Sequence, residues 1–185
     1  MEIKGAAVKS IPDFVKARFT NRYDEWLQSL PESSRTIFSG PVFPSGWYSL
    51  QDAGIVPTKA VGDLFFAGNQ RQGAWEAGRY SAEISLQGIY KFFVKAASPA
   101  FIIGRAGKIF KTYYQPCEMQ VVESSPKKVV LRITEFPNPD PLIEYRIAGW
   151  MERGLEISGC KGVNVNMMKS MTRGQDVTEF SISWL

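Results

Sequence analysis

The sequence predicts an α+β fold: an N-terminal helical part packed on a C-terminal antiparallel sheet made of two hairpins with an intervening helix. Three observations predict it. Apolar residues recur mostly at helical spacing before Pro116, and after it the period drops to two. The period-two stretches come in pairs joined by turns, and hairpins imply an antiparallel sheet where βαβ crossovers would imply a parallel one. One further helical stretch, closed by Gly159, separates the two pairs. At 185 residues, 44% of them hydrophobic, the chain has the size and core content of one domain spanning 1–185.

The elements follow in order. Ile3 to Lys9 reads as a short strand, and Ser10-Ile11-Pro12-Asp13 supplies an N-cap, an early proline and an acid, so a helix should start near Pro12 and carry Phe14, Val15, Arg18 and Phe19. A second helix, Tyr23 to Leu30, is stopped by Pro31. Two prolines and two glycines make Gly40 to Gly46 a loop. Trp47 and Tyr48 then open a helix that breaks near Gly54 and Pro57 and resumes through Val61, Leu64 and Phe65. Arg71 to Ala96 is the longest helix expected. Its small residues Gly78, Ser81, Ser85 and Gly88 share one face, where another helix, in the same chain or a second copy, could approach closely, a ligand groove being the alternative use. Ser98-Pro99 begins another helix whose stripe is Ile102, Ile103, Ala106, Ile109, Phe110 and Tyr113.

In the second half, Cys117, Met119 and Val121 alternate with polar neighbours, Ser124-Ser125-Pro126 turns, and Val129, Leu131 and Ile133 alternate back. Pro137, Pro139 and Pro141 mark a loop from which Asp140 caps a helix running to Ser158. Its apolar stripe is Leu142, Ile143, Ile147, Trp150 and Met151. Val163, Val165 and Met167, a turn at Arg173 to Asp176, and Phe180, Ile182 and Trp184 form the closing hairpin. The Arg71 to Ala96 helix is expected to back the sheet.

The chain contains no histidine, against five Trp, seven Tyr and twelve Phe. That removes Ser-His and Cys-His nucleophile pairs, His-ligated haem, most catalytic zinc sites and imidazole acid/base catalysis. Cys117 and Cys160 lack metal-type spacing and read as small buried hydrophobes, which fits a reducing cytoplasm. No stretch approaches the roughly 20 apolar residues of a membrane span, and Met1-Glu2-Ile3-Lys4 does not look like a secretory leader. A cytoplasmic setting is therefore expected.

Net charge is +4, unevenly placed. No acid falls between Ile84 and Cys117, while Lys91, Lys95, Arg105, Lys108 and Lys111 are interleaved there with aromatic residues. On one face these cations would bind an anionic surface; rotated apart they are ordinary solvated charges, which is the arrangement helical spacing favours. No nucleic-acid motif accompanies them. Gly73 to Tyr80 imitates a phosphate loop, but Arg79 and Tyr80 stand where Lys and Ser/Thr belong, and no strand precedes it. The acidic pairs Asp24/Glu25, Glu152/Glu156 and Asp176/Glu179 read as solvated faces. No metal site and no catalytic residues are assigned, and no cofactor is expected. Aromatic density makes Trp47, Trp75, Phe92, Phe93, Phe101, Ile103, Phe110 and Trp150 the candidates for an apolar pocket.

In this order of elements the chain resembles a family of uncharacterised bacterial domains, first noticed as a large paralogous set in myxobacteria. They are similar to the ligand-binding superfamily of NO signalling and Golgi transport, with its haem-NO-binding, 4-vinyl reductase and TRAPP-like domains. The residues that carry the resemblance are Gly5, Phe14 to Phe19, Trp47-Tyr48, Gly78 to Glu83, Gly149-Trp150 through Leu155 with Gly159, and the Gly174 to Trp184 hairpin. The resemblance implies an interior between helices and curved sheet that holds an apolar ligand or acyl chain, and a helical surface used for association, hence a homodimer. Two departures matter. The haem sensors' proximal histidine and Tyr-x-Ser-x-Arg motif are missing, Tyr145-Arg146-Ile147 being the nearest look-alike, and the cysteines of the vinyl reductases are absent around Thr178. The expectation is a non-catalytic cytoplasmic sensory or scaffold domain binding a small apolar ligand or a protein partner. The alternatives are an enzyme acting on a small aromatic substrate through Tyr, Lys or carboxylates, and an anionic-surface binder.

Overall fold

A computed structural model describes residues 1–87 and 99–185. Strand β1 (Glu2–Lys4) gives way at once to helix α1 (Gly5–Arg18). The expected strand to Lys9 and helix start at Pro12 are thus corrected: the helix begins seven residues earlier and Pro12 lies inside it. The 43–46 loop explains the early start. Gly5 N–H donates to the Gly46 carbonyl at 2.9 Å and Ala6 N–H to that of Pro44 at 3.0 Å, so the first helical donors are satisfied by tertiary partners. A side chain at residue 5 would collide with the Phe43 backbone, which makes glycine a requirement there. Ser10 caps nothing; its hydroxyl donates to the Ala7 carbonyl at 2.7 Å.

Helix α2 (Tyr23–Ser29) ends before Pro31 as expected, and α3 (Glu32–Ser39) follows it unanticipated. Trp26 is fully buried, its indole N–H donating to the Pro57 carbonyl at 3.1 Å. Trp47 and Tyr48 do not open a helix. They form β2 (Trp47–Ser49), antiparallel to β1 with Ile3 opposite Tyr48, because aromatic residues suit a strand once an edge is offered. Helical structure resumes with a wide π-type turn, Gln51–Ile55, running directly into α4 (Val56–Phe65). The break expected near Gly54 and Pro57 is absent: the π-type turn, in which Val56 N–H donates back to the Gln51 carbonyl, passes straight into α4 with Pro57 as its second residue.

Helix α5 (Gln70–Gln87) covers the start of the long helix expected to Ala96; the remainder lies outside the described residues. The single helix expected from Ser98 is two, α6 (Pro99–Ile103) and α7 (Ala106–Tyr113), parted at Gly104-Arg105. Strand β3 (Tyr114–Gln115) then completes a small sheet of order β2-β1-β3.

Both C-terminal hairpins form, β4 (Glu118–Ser125) with β5 (Lys128–Glu135) and β6 (Asn164–Lys169) with β7 (Thr178–Ser183). They merge through β5 and β7, Leu131 opposite Phe180, into one antiparallel sheet of order β4-β5-β7-β6. Between them runs α8 (Pro141–Ile157), capped by Asp140, which accepts from Leu142 N–H at 2.8 Å. Gly159 follows at φ +101°, a conformation that favours glycine. The architecture is α+β, helices first and sheet last. One relation differs from expectation: α8 lies against the sheet, meeting β6 and β7, and α5 packs along α8 instead of backing the sheet itself. α8 is apolar on the sheet side and carries glycines where α5 crosses, which suits it to the middle layer.

Candidate functional site

A mostly apolar cavity of about 80 Å³ lies among α8, the sheet and the α6–α7 pair. Met119, Val129, Leu131 and Ile182 come from the sheet, and Ile103 and Phe110 from α6 and α7. α8 supplies a stripe that includes Ile147, Trp150 and Met151, while Ala7 of α1 and Gly78 and Ser81 of α5 reach the same space. Strand alternation aims Leu131, Val129 and Ile182 to one face of the sheet, and helical period aims the α8 residues back at them.

Of the eight pocket candidates, Ile103, Phe110 and Trp150 line the cavity. Trp47 does not: it is half-buried on β2 beneath Lys4, whose ammonium lies 4.4 Å from the ring centroid. Trp75 does not either, because its indole N–H is turned to Glu152 at 2.8 Å. Phe92 and Phe93 lie outside the described residues, and of Phe101 only the backbone, in α6, is described. The small-residue stripe is also placed. Gly78 and Ser81 are buried inside the protomer, against α8 and the cavity, which takes them out of any surface between two copies. Ser85 is half-buried and Gly88 lies outside the described residues.

Sequence reasoning missed Arg146. It occupies a core position of α8, one turn before Trp150, within the stripe of Leu142, Ile143, Ile147 and Met151. That intrusion of a cation into an apolar row was its legible signal. Its side chain is 2% exposed. Nη2 donates to the Ala7 carbonyl at 2.6 Å and to Ser10 Oγ at 3.0 Å. Nη1 and the indole N–H of Trp150 are buried with no hydrogen-bond partner among the described residues, and both side chains line the cavity. Burial lowers the Arg146 pKa, opposed by neighbouring Tyr114, and burial raises the Tyr114 phenol, which therefore stays protonated near neutrality.

Much of the polar chemistry elsewhere among the described residues is consumed by structure. Buried Glu144 accepts from Ser170 Oγ at 2.6 Å, from Thr172 Oγ1 at 2.8 Å and from Thr178 Oγ1, tying α8 to the last hairpin. Glu152 and Glu156, expected as a solvated face, both engage Arg79, and Arg153 joins Glu83 to Glu156 at 2.9 and 2.8 Å. Arg79 and the rest of the phosphate-loop look-alike therefore sit mid-helix in an ion-pair network, with the Gly78 backbone packed on Arg146. Lys111 pairs with Glu118, Arg105 and Lys108 are exposed, and Lys91 and Lys95 lie outside the described residues. Among the described residues no group of three His, Cys, Asp or Glu is placed to hold a metal ion. Cys117 and Cys160 are free and buried; burial pushes the Cys117 thiol up to about 11.

No protein-family model matches the chain, and no curated protein matches it significantly. Solved structures do. A variant H-NOX protein from K. algicida, Fe(II) and unliganded, is 12% identical over 98% of this chain and 96% of its own, with a TM-score of 0.72. An H-NOX protein from S. oneidensis in the Fe(II)NO state is 12% identical, covering 98% and 99%, with a TM-score of 0.72. A histidine-to-glycine variant of an H-NOX domain from Shewanella oneidensis in the Fe(II)CO state is 13% identical, covering 98% of each chain, with a TM-score of 0.73. At these identities the likeness is one of fold, and the fold matches over almost the whole chain.

Proposed function

We propose that this chain is a non-catalytic sensory or scaffold domain that binds a small apolar ligand in the cavity between α8 and the sheet. The observation that carries the reading is that cavity: an apolar space walled by both halves of the domain, two of whose lining residues, Arg146 and Trp150, carry a buried N–H with no hydrogen-bond partner among the described residues. The H-NOX fold supports the reading, since its solved examples are described with NO or CO at Fe(II).

Haem itself does not fit these residues. The chain has no histidine, neither cysteine is among the described residues lining the cavity, and the Tyr114 phenol is held protonated by burial. Met119 and Met151 are weak ligands that serve haem beside histidine. The ligand of this reading is small and metal-free. An enzymatic role has no comparable support, as the buried carboxylate among the described residues, Glu144, is engaged by three hydroxyls and is not among the residues lining the cavity. A cytoplasmic setting is part of the proposal and agrees with two free cysteines; no described helix is long and apolar enough to cross a membrane.

Native mass spectrometry of the purified chain, together with titration of an apolar fluorescent reporter, tests the reading. The expected result is a retained small molecule or saturable reporter uptake that is lost in a folded Leu131→Trp variant, whose indole fills the cavity. Neither retention nor uptake by the unmodified protein, or uptake unchanged in Leu131→Trp, overturns it.

A further inference from the structure

We propose that the cavity selects a ligand bearing one carboxylate, held by Arg146 through Nη1 with the Trp150 indole N–H as second donor. This rests on the reading of the cavity as a ligand site and names the chemistry of what fills it. Arg146 is a buried guanidinium without a counterion. Its two hydrogen bonds go to neutral acceptors, the Ala7 carbonyl and Ser10 Oγ, and no ion pair involves it among the described residues. The residues outside the description cannot supply the missing charge, because no acid occurs anywhere between Ile84 and Cys117. Tyr114 beside it is a neutral phenol.

A buried cation of this kind is costly unless it is both paired and hydrogen-bonded. Water would satisfy the N–H and leave the charge uncompensated; a purely apolar guest would leave both. A carboxylate satisfies both. Arg146 and Trp150 are four residues apart on one face of α8, and both line a space whose other walls are mostly apolar, so one buried charge and two unpartnered N–H groups lie at its edge. That arrangement matches a small amphiphile with a monoanionic head and an apolar body. A phosphate dianion would need more donors than the described walls provide.

The test is isothermal titration of the full chain, near neutral pH, with octanoate against octanol and phenylpropionate against phenylpropanol. Each acid is expected to bind about tenfold or more tightly than its alcohol, because only the acid makes a charge-assisted pair. The preference should persist at high salt, since a buried pair is poorly screened while a surface basic patch is not. In Arg146→Met, checked for folding by circular dichroism, the acid preference should vanish while the alcohols still bind. Trp150→Phe leaves the Arg146 anchor points intact and should cut acid affinity several-fold. Equal affinity for acids and alcohols, or an acid preference that survives in folded Arg146→Met or disappears with salt, overturns the inference and leaves the ligand-site reading standing. If neither acids nor alcohols bind and no reporter is taken up, the ligand-site reading fails and takes this inference with it.

Discussion

Gly78 of α5 and Gly149 of α8 face each other across one helix crossing: a Cβ on Gly78 would overlap the Arg146 carbonyl, and one on Gly149 would overlap that of Trp75. Each glycine lets the other helix's backbone come into contact, and the pair sets how deeply α8 sits between α5 and the sheet. Gly78→Ala or Gly149→Ala should each destabilise the protein by about 1–3 kcal/mol through overpacking. Urea unfolding measures this. A midpoint unchanged in both variants would contradict the crossing.

The Glu144 carboxylate, 4% exposed, depends on the hydroxyls of Ser170, Thr172 and Thr178. Glu144→Leu should cost about 1–3 kcal/mol, because up to three hydroxyls lose their acceptor at once. Thr178→Val removes one of these donors and should cost less. Hydrogen exchange should show the loss centred on the 170–178 turn and the start of α8; a uniform loss across the fold would argue against this anchoring role.

Burial raises the Cys117 thiol to about 11 from its ordinary 9.0, with Lys111 opposing and Glu118 and Glu135 adding. A folded pKa above the unfolded one means that the folded state holds the proton more tightly. The contribution is therefore fully present below pH 9 and is lost as pH rises from 9 toward 11. Cys117→Ala should flatten the fall in stability across that window, and native Cys117 should resist iodoacetamide near pH 8 at about the unfolding-limited rate. Rapid native alkylation at this residue would be the contrary result.

Arg79 bridges α5 to Glu152 and Glu156 of α8 while 24% exposed. Such a site lies between exposed pairs and fully buried ones, so Arg79→Met should cost about 1–2 kcal/mol. The loss should shrink in high salt. Thermal melts at two ionic strengths check both statements, and a salt-independent loss would point to packing instead.

Much of the architecture was legible because it is local. The period of two around Met119, Leu131, Val165 and Phe180 is written into adjacent residues, as are the Asp140 cap and the Gly159 stop of α8. The absence of histidine was equally plain. Three of the pocket candidates, Ile103, Phe110 and Trp150, reach the cavity because aromatic and branched residues on the inner faces of regular elements have few other places to go. Trp47 and Trp75 looked alike in composition and differ only in which neighbour each meets, Lys4 in one case and Glu152 in the other.

By itself the sequence determined which segments are helical or extended after Pro116, the antiparallel pairing within each hairpin, and the chemistry open to a chain without imidazole. Tertiary structure alone decided where α1 begins, since the Pro44 and Gly46 carbonyls that cap it come from a distant loop. It alone made Trp47–Ser49 a strand, since only β1 offers the edge. It also decided that Gly78 is spent on α8 and that Arg146 is buried with no anion beside it among the described residues. Spacing fixes which face a residue shares, but burial and counterions depend on what packs against that face, and those partners lie far away along the chain.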